Sequence, residues 1–264
     1  MTRVCVAGIT GWAGQPIAAA IAHADDLELV AGVSRSATGQ ELSDVVAGAG
    51  EGTIYASVAE ALDATVTDVL VDYTDAAVVK PNVLAALERK VSVVVGSSGL
   101  TADDYSEIES RAREQRVGVI AAGNFSLLAA LLLRFAGEAA RHVAAWEIID
   151  YASAGKPDLP SGTARELAER LGGVREPTAE RPPESLLGPI EARGATVAGT
   201  QIHSVRLPSF VVSTEIVFAA AGERLTLRHD PGESPAPYVA GTLVAVRALE
   251  GRVGLTRGLD DLLL

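Results

Sequence analysis

The sequence predicts an α/β fold in two parts. The first is a Rossmann-type doubly wound parallel sheet; the second is an α+β domain whose sheet is mostly antiparallel. Three observations carry this. Apolar runs alternate with helix-like segments through the first 124 residues. Gly8, Gly11 and Gly14 follow the first run directly. Beyond Asn124 the pattern changes to alternating strand-like segments separated by turns that contain Pro and Gly. Strands that are apolar on both faces and alternate with helices form a parallel sheet covered on both sides, whereas alternating strands suit a sheet covered on one face.

Residues 3–7 read as a fully buried strand, Val4-Cys5-Val6-Ala7, followed by a glycine turn and an Ala/Ile-rich helix over 15–24. A second strand covers 27–33. Strands at 69–73, 91–95 and 117–121 alternate with helices at 58–62, 76–89 and 102–115. A long Leu/Ala helix over 127–141 then leads to a strand at 146–150. A helix over 164–171 follows, and the polar, proline-containing stretch 172–193 reads as a surface loop. Strands at 202–207, 210–219 and 223–229 form the second layer, and a last helix over 237–249 returns to the first domain. The domain bounds read as 1–124 with 233–264 for dinucleotide binding, and 125–232 for substrate binding and oligomerisation.

Composition narrows the function. A chain of 264 residues is long enough for two cores, and 48% hydrophobic with 21% charged residues reads as globular. A net charge of −12 argues against nucleic-acid binding, which needs a basic surface. The single cysteine, Cys5, allows no internal disulfide, and no His pair has metal-ligand spacing, so no metal is expected. There is no signal peptide and no membrane-spanning apolar run, so a cytoplasmic location is expected.

The turn Gly8-Ile9-Thr10-Gly11-Trp12-Ala13-Gly14 is a G-x-x-G-x-x-G pattern between strand and helix. Its glycines permit close backbone approach to a pyrophosphate at a helix N-terminus. The second strand ends in Ser34-Arg35-Ser36, with no Asp or Glu to hold a ribose 2′-hydroxyl. Arg35 can pair with a 2′-phosphate, so NADPH is expected over NADH; a solvated loop arginine is the alternative. A second anion-holding pattern is Lys156-Pro157-Asp158-Leu159-Pro160-Ser161-Gly162-Thr163. It places a cation shortly before hydroxyls and orphan N–H groups at a helix start, though a plain N-cap uses the same residues.

Taken together, several segments resemble the dihydrodipicolinate reductase family over essentially the full length, most closely its actinobacterial members. They are the glycine turn, Asp72-Tyr73-Thr74, Gly96-Ser97-Ser98-Gly99, Asn124-Phe125-Ser126, the run from Lys156 to Ala164, and Ile202-His203-Ser204-Val205-Arg206. The resemblance implies hydride transfer from a nicotinamide, a two-domain hinge and a homotetramer. It implies that Gly8, Gly11, Trp12 and Ala13, with Thr10 and Gly14 of the same turn, cradle the pyrophosphate. Thr74, Gly96, Ser98, Asn124 and Phe125 would line the nicotinamide side. Lys156, Ser161, Gly162, Thr163 and Arg206, with Ser153 beside them, would bind a substrate carboxylate.

The chain departs from the family where the family has Glu-x-His-His-x-x-Lys. Here the run is Asp150-Tyr151-Ala152-Ser153-Ala154-Gly155-Lys156. A positioned acid contributes about 10²–10⁴-fold to such a reduction, and Ala152 supplies no proton. Lys156 and Tyr151 are the candidate catalytic residues in its place. The leading expectation is an NADPH-dependent imine or enamine reductase whose carboxylate substrate differs from the lysine-pathway one. The alternatives are a genuine 4-hydroxy-tetrahydrodipicolinate reductase and a catalytically silent NADP-binding module.

Overall fold

A computed structural model describes residues 1–179, 181 and 185–263. In chain order the first elements are β1 (Thr2–Ala7), α1 (Gly14–Ala22), β2 (Leu27–Val33), α2 (Leu42–Val45), β3 (Thr53–Tyr55) and α3 (Val58–Ala64). Then come β4 (Val69–Asp72), α4 (Val79–Glu88), β5 (Ser92–Val95), α5 (Ala102–Gln115) and β6 (Gly118–Ala121). The chain continues through α6 (Leu127–His142), β7 (Ala145–Ala152), α7 (Gly162–Val174), β8 (Ala195–Val197), β9 (Thr200–Arg206), β10 (Val212–Ala220) and β11 (Glu223–His229). It closes with α8 (Ala236–Ala248) and β12 (Gly254–Arg257). Two compact units result: Met1–Leu127 with the segment from Ser234 onward, and Leu128–Glu233.

In the first unit seven parallel strands run in the order β12-β6-β5-β4-β1-β2-β3. Successive strands leave β1 first toward β2 and β3 and then toward β4, β5 and β6, so the order reverses at β1. In such sheets ligands bind beyond the carboxyl ends of the strands at that reversal. Burial explains the apolar runs: Cys5, Leu70, Val93 and Val119 share one core with Val83 and Ile108. Burial pushes the Cys5 thiol up to about 12, which keeps it protonated and inert. The start of α5 is set by a reciprocal capping box between Thr101 and Asp104.

The second unit holds a five-stranded sheet in the order β11-β10-β7-β9-β8. Its pairs are antiparallel except β7 with β9, which run parallel. The strict alternation of β7 turns Trp146 and Ile148 onto Leu133 and Ala136 of α6 and Leu167 and Leu171 of α7. Within the stretch expected to be a surface loop, α7 extends to Val174 and Ile190–Arg193 form a 3₁₀ turn; Glu180, Pro182, Pro183 and Glu184 lie outside the described residues. Among the described residues no helix is long and apolar enough to cross a membrane.

Candidate functional site

The glycine turn is built by backbone packing. Gly8 has φ +80°, and a Cβ there would lie 2.3 Å from the Tyr73 carbonyl oxygen. At Gly14 a Cβ would lie 2.0 Å from the Gly8 carbonyl oxygen. Helix α1 therefore starts hard against the end of β1. Its N-cap, Ala13, offers no side-chain bond, and no acid sits in the first turn. Orphan N–H groups at that end are left for an anion, which is how a dinucleotide pyrophosphate would fit. At the end of β2, Thr10 Oγ1 and Ser34 Oγ are 2.8 Å apart, and Ser34 Oγ lies 3.1 Å from Ser36 Oγ. Ser34 is buried, whereas Arg35 is exposed. This cluster of hydroxyls beside one exposed cation suits a 2′-phosphate.

The opposite wall is organised by Asp72, which is completely buried at the end of β4. Its Oδ1 accepts from Thr74 N–H at 3.1 Å, Thr74 Oγ1 at 2.7 Å and Ser97 Oγ at 2.5 Å. Oδ2 accepts from Asn82 Nδ2 at 2.8 Å. One carboxylate thus ties together the loops after β4 and β5, with α4 behind them. Sequence reasoning quoted Asp72 within its motif and gave it no role; an acid closing the apolar run Val69-Leu70-Val71 was the available signal. A cavity of about 480 Å³ lies over these loops, bordered by Gly11, Trp12, Thr74, Gly96, Ser98 and Asn124. Ala13, Tyr73, Phe125 and Tyr238 complete its lining.

In the second unit Asp150 is the organising group, also with no exposed surface. Its Oδ2 accepts from Ser161 N–H at 2.9 Å, Ser204 Oγ at 3.1 Å and Arg206 Nη2 at 2.8 Å. Burial pushes the Asp150 pKa up, but the Ser161 and Arg206 interactions outweigh it, and the carboxyl is held below its ordinary range. Ser161 caps α7, its Oγ accepting from Ala164 N–H at 3.4 Å. Gly162 and Thr163 form the first turn of that helix, Gly162 exposed and Thr163 half-buried. Lys156 Nζ lies 2.8 Å from Asp158 Oδ1, and a turn bond from Lys156 N–H to the Ser153 carbonyl brings Ser153 beside it. Lys156, Ser153, Ser161, Gly162 and Thr163 thus gather on one loop and helix start.

Two of the residues assigned from sequence stand differently. Arg206 spends Nη2 on Asp150 and the Asp158 carbonyl (2.9 Å), and Nη1 on the carbonyls of Asp150 and Val205. It holds the loop in place through both Nη atoms, while its buried Nε has no hydrogen-bond partner. Tyr151 lies on the other face of β7 from Asp150 and Ala152, because neighbouring strand residues point oppositely. There its hydroxyl donates to Glu215 Oε2 at 3.2 Å, and Arg228 lies over its ring at 4.8 Å. That placement sets the Tyr151 hydroxyl on the face of β7 opposite Asp150. Ala152 is fully buried, paired in register with Arg206 and Val212.

The histidines lie elsewhere. His203 Nε2 is 2.7 Å from Glu147 Oε2 on the face of β7 that carries Tyr151, and burial lowers the His229 pKa. Among the described residues no group of three or more His, Cys, Asp or Glu is placed to hold a metal ion. The larger cavity of the second unit, about 880 Å³ against Glu147, Arg193 and Gln201, contains none of the assigned site residues. Volume alone therefore does not mark the chemistry here.

Comparison with known proteins covers the chain end to end. Residues 2–125 match the family model described as dihydrodipicolinate reductase, N-terminus, and residues 129–263 match its C-terminus. A 4-hydroxy-tetrahydrodipicolinate reductase of Syntrophomonas wolfei is 36% identical over 99% of this chain and 98% of its own length. The enzyme of that name from Listeria monocytogenes is 33% identical, covering 99% of each. Among solved structures, a dipicolinate-bound dihydrodipicolinate reductase from Paenisporosarcina superposes with a TM-score of 0.83 at 28% identity, over 99% of both chains. GenD2 of gentamicin A biosynthesis, solved with NAD, shares the fold at 17% identity and a TM-score of 0.66.

Proposed function

The chain belongs to the dihydrodipicolinate reductase family, and on that premise we propose that it reduces 4-hydroxy-tetrahydrodipicolinate with NADPH. The names carried by full-length relatives support this substrate over the changed one that the sequence alone favoured. The observation that carries the reading is the group built on Asp150: Lys156 with the start of α7, a cation and a helix N-terminus brought together for a carboxylate. A bound nicotinamide supplies the hydride. The protein's own part is to hold the carboxylate, orient the C=N bond and leave a proton source within reach. Lys156 is the cation of that cluster whose charge is not spent on Asp150, its partner being the partly exposed Asp158. It carries both tasks in this proposal, as clamp and as proton donor directly or through water.

Ala152 and Ser153 favour a second reading, an imine or enamine carboxylate reactive enough to need little acid help. The two readings part on the double variant Ala152→His/Ser153→His, assayed with 4-hydroxy-tetrahydrodipicolinate after its melting temperature has shown it folded. Under the first reading the unaltered chain turns this substrate over and the variant changes kcat less than about tenfold. A gain of about 10²-fold or more from a near-zero start supports the second. Oligomerisation through the second unit is part of the proposal: Ile149, Tyr151 and Val217 stand half-exposed on the sheet face opposite α6 and α7. Light scattering reporting a homotetramer would agree, and a monomer at working concentration would remove it.

The preference for NADPH rests on Ser34 and Arg35. Arg35→Ala is expected to raise the Kd for NADPH about tenfold, near 1.4 kcal/mol, and to leave NADH within about twofold. Calorimetric titration of both cofactors checks this. Equal losses for the two would place Arg35 outside the phosphate site.

A further inference from the structure

Adding a hydride to a C=N bond calls for a proton as well, and the two tasks given to Lys156 conflict. An ammonium that gives its proton away no longer holds a carboxylate. A second source of protons is called for on the sheet face that carries Asp150. Its nearest neighbours do not qualify. The Asp150 carboxyl lies below its ordinary range and has no proton to give at neutral pH. Arg206 is a guanidinium, which does not deprotonate in proteins. In Asp158 burial is outweighed by the bond to Lys156, and that carboxyl is held low too. The residues that α6 and α7 bury are alanines and leucines. Of the four histidines, three are engaged elsewhere. His23 Nδ1 lies 2.7 Å from the Ala19 carbonyl in the first unit, His142 Nε2 lies 3.2 Å from Glu138 at the exposed end of α6, and His203 meets Glu147 on the opposite face. His229 remains.

Strand register places it. Thr214 of β10 pairs with His229 of β11 on one side and with Asp150 of β7 on the other, and Asp150 pairs with Ser204 of β9. Residues opposite one another in a sheet share a face, so Ser204, Asp150, Thr214 and His229 form one row. The row faces the helices: Ser161 of α7 meets Asp150 there, and Leu227, two residues before His229, packs on the core beneath α6 and α7. Asp150 and Thr214 are buried, whereas His229 ends the edge strand half-buried, open enough to take a proton from solvent. With strands about 4.8 Å apart, the His229 backbone stands ~10 Å from that of Asp150, a gap that two side chains and a water span. Asp150 Oδ2 is held from α7 and β9, but Oδ1 is buried with no hydrogen-bond partner, and a shared water would satisfy it. Burial lowers the His229 pKa; Asp230, its charged neighbour, opposes this and is itself engaged by Arg228.

We infer that His229 is the proton source behind Lys156. As the reacting nitrogen takes a proton from the Lys156 ammonium, water returns one to the amine and the His229 imidazolium replenishes that water. The nitrogen gains an N–H bond, the imidazolium loses one, the carbon gains the hydride of the nicotinamide, and Lys156 ends with its charge. The inference rests on the reductase reading above. His229 acts through Lys156 and not on the substrate, so it is a positioning residue for the proton.

The test compares the full chain with His229→Gln and His229→Asn, assayed with NADPH and 4-hydroxy-tetrahydrodipicolinate. The variants should keep the parental melting temperature and the parental affinity for NADPH and dipicolinate, and lose about 10²-fold in kcat. In the parent, kcat should fall as pH rises through the His229 pKa, which burial sets below the ordinary ~6.5. In the variants that limb is absent. Imidazole added to His229→Ala should restore kcat in proportion to its concentration, which a purely structural loss would not permit. Parental kcat in either folded variant, an unmoved limb, or a loss that imidazole leaves untouched overturns the inference and leaves the reductase reading standing. If the parent chain does not turn over 4-hydroxy-tetrahydrodipicolinate with NADPH, both fail.

Discussion

Replacing Lys156 with methionine is expected to lower kcat/KM about 10²–10³-fold while NADPH affinity and the melting temperature stay nearly unchanged. Truncating one partner of a hydrogen-bonded charge pair to a ligand costs about 2–5 kcal/mol, which spans that range. Folding is spared because the pair Lys156 makes within the protein, with Asp158, is partly solvated: the two side chains keep 27% and 40% of their surface. Exposed pairs of this kind contribute at most about 1 kcal/mol. Methionine preserves the apolar stem, so the loss isolates the charge.

How the loss divides between constants tells which task Lys156 performs. A rise in KM with kcat unchanged marks a clamp that grips substrate and transition state alike, whereas a fall in kcat marks a contribution made in the transition state. The proposal assigns both, so both constants should move. Binding of pyridine-2,6-dicarboxylate, the ligand of the solved relative, gives a readout free of turnover and should weaken in parallel. A variant with parental kcat/KM and parental dicarboxylate affinity would remove Lys156 from the site.

Much of the first unit was legible because its signals are local. The glycine turn needs residues without Cβ atoms, and Gly8 and Gly14 meet backbone oxygens at distances no side chain tolerates. The central strands β4, β5 and β6 are buried on both faces and read as short apolar runs. What escaped is set by distant parts of the chain. The strands β3 (Thr53–Tyr55) and β12 (Gly254–Arg257) are short and carry no unbroken apolar run, and they exist because β2 and β6 offer parallel edges. Arg206 was read only as a substrate-carboxylate ligand, because nothing local reveals that Asp150, 56 residues earlier, lies beside it across the parallel β7–β9 pair. For Tyr151 the strand boundary matters: the strand read from sequence stopped at Asp150, but β7 runs on to Ala152. Once Tyr151 is inside a strand, the two-residue repeat alone sends it away from Asp150.

The same Asp150 is where stability and function meet, and Asp150→Asn is expected to destabilise the second unit by about 3–5 kcal/mol at neutral pH. Breaking a buried ion pair leaves the partner uncompensated, and here that partner is Arg206, whose side chain keeps 16% of its surface. For a unit of this size the loss corresponds to a fall in melting temperature of roughly 10–20 °C. The pH dependence has a definite sign. The native Asp150 carboxyl lies below the ordinary range, so its stabilisation is fully present above the unfolded value near ~4 and disappears as pH falls through the lower native value. Parent and variant should therefore differ most at neutral pH and converge in acid. Thermal unfolding from pH 7 downward checks this, and a gap independent of pH would mean that the charge of Asp150 contributes nothing. Function should fail along with the fold, even in the variant that remains folded at low temperature. Asp150 accepts the Ser161 N–H and, through Arg206, anchors the Asp158 carbonyl. Releasing those two points loosens the Lys156 loop against the start of α7, and a displacement of about 1 Å is enough to lower turnover about 10²-fold.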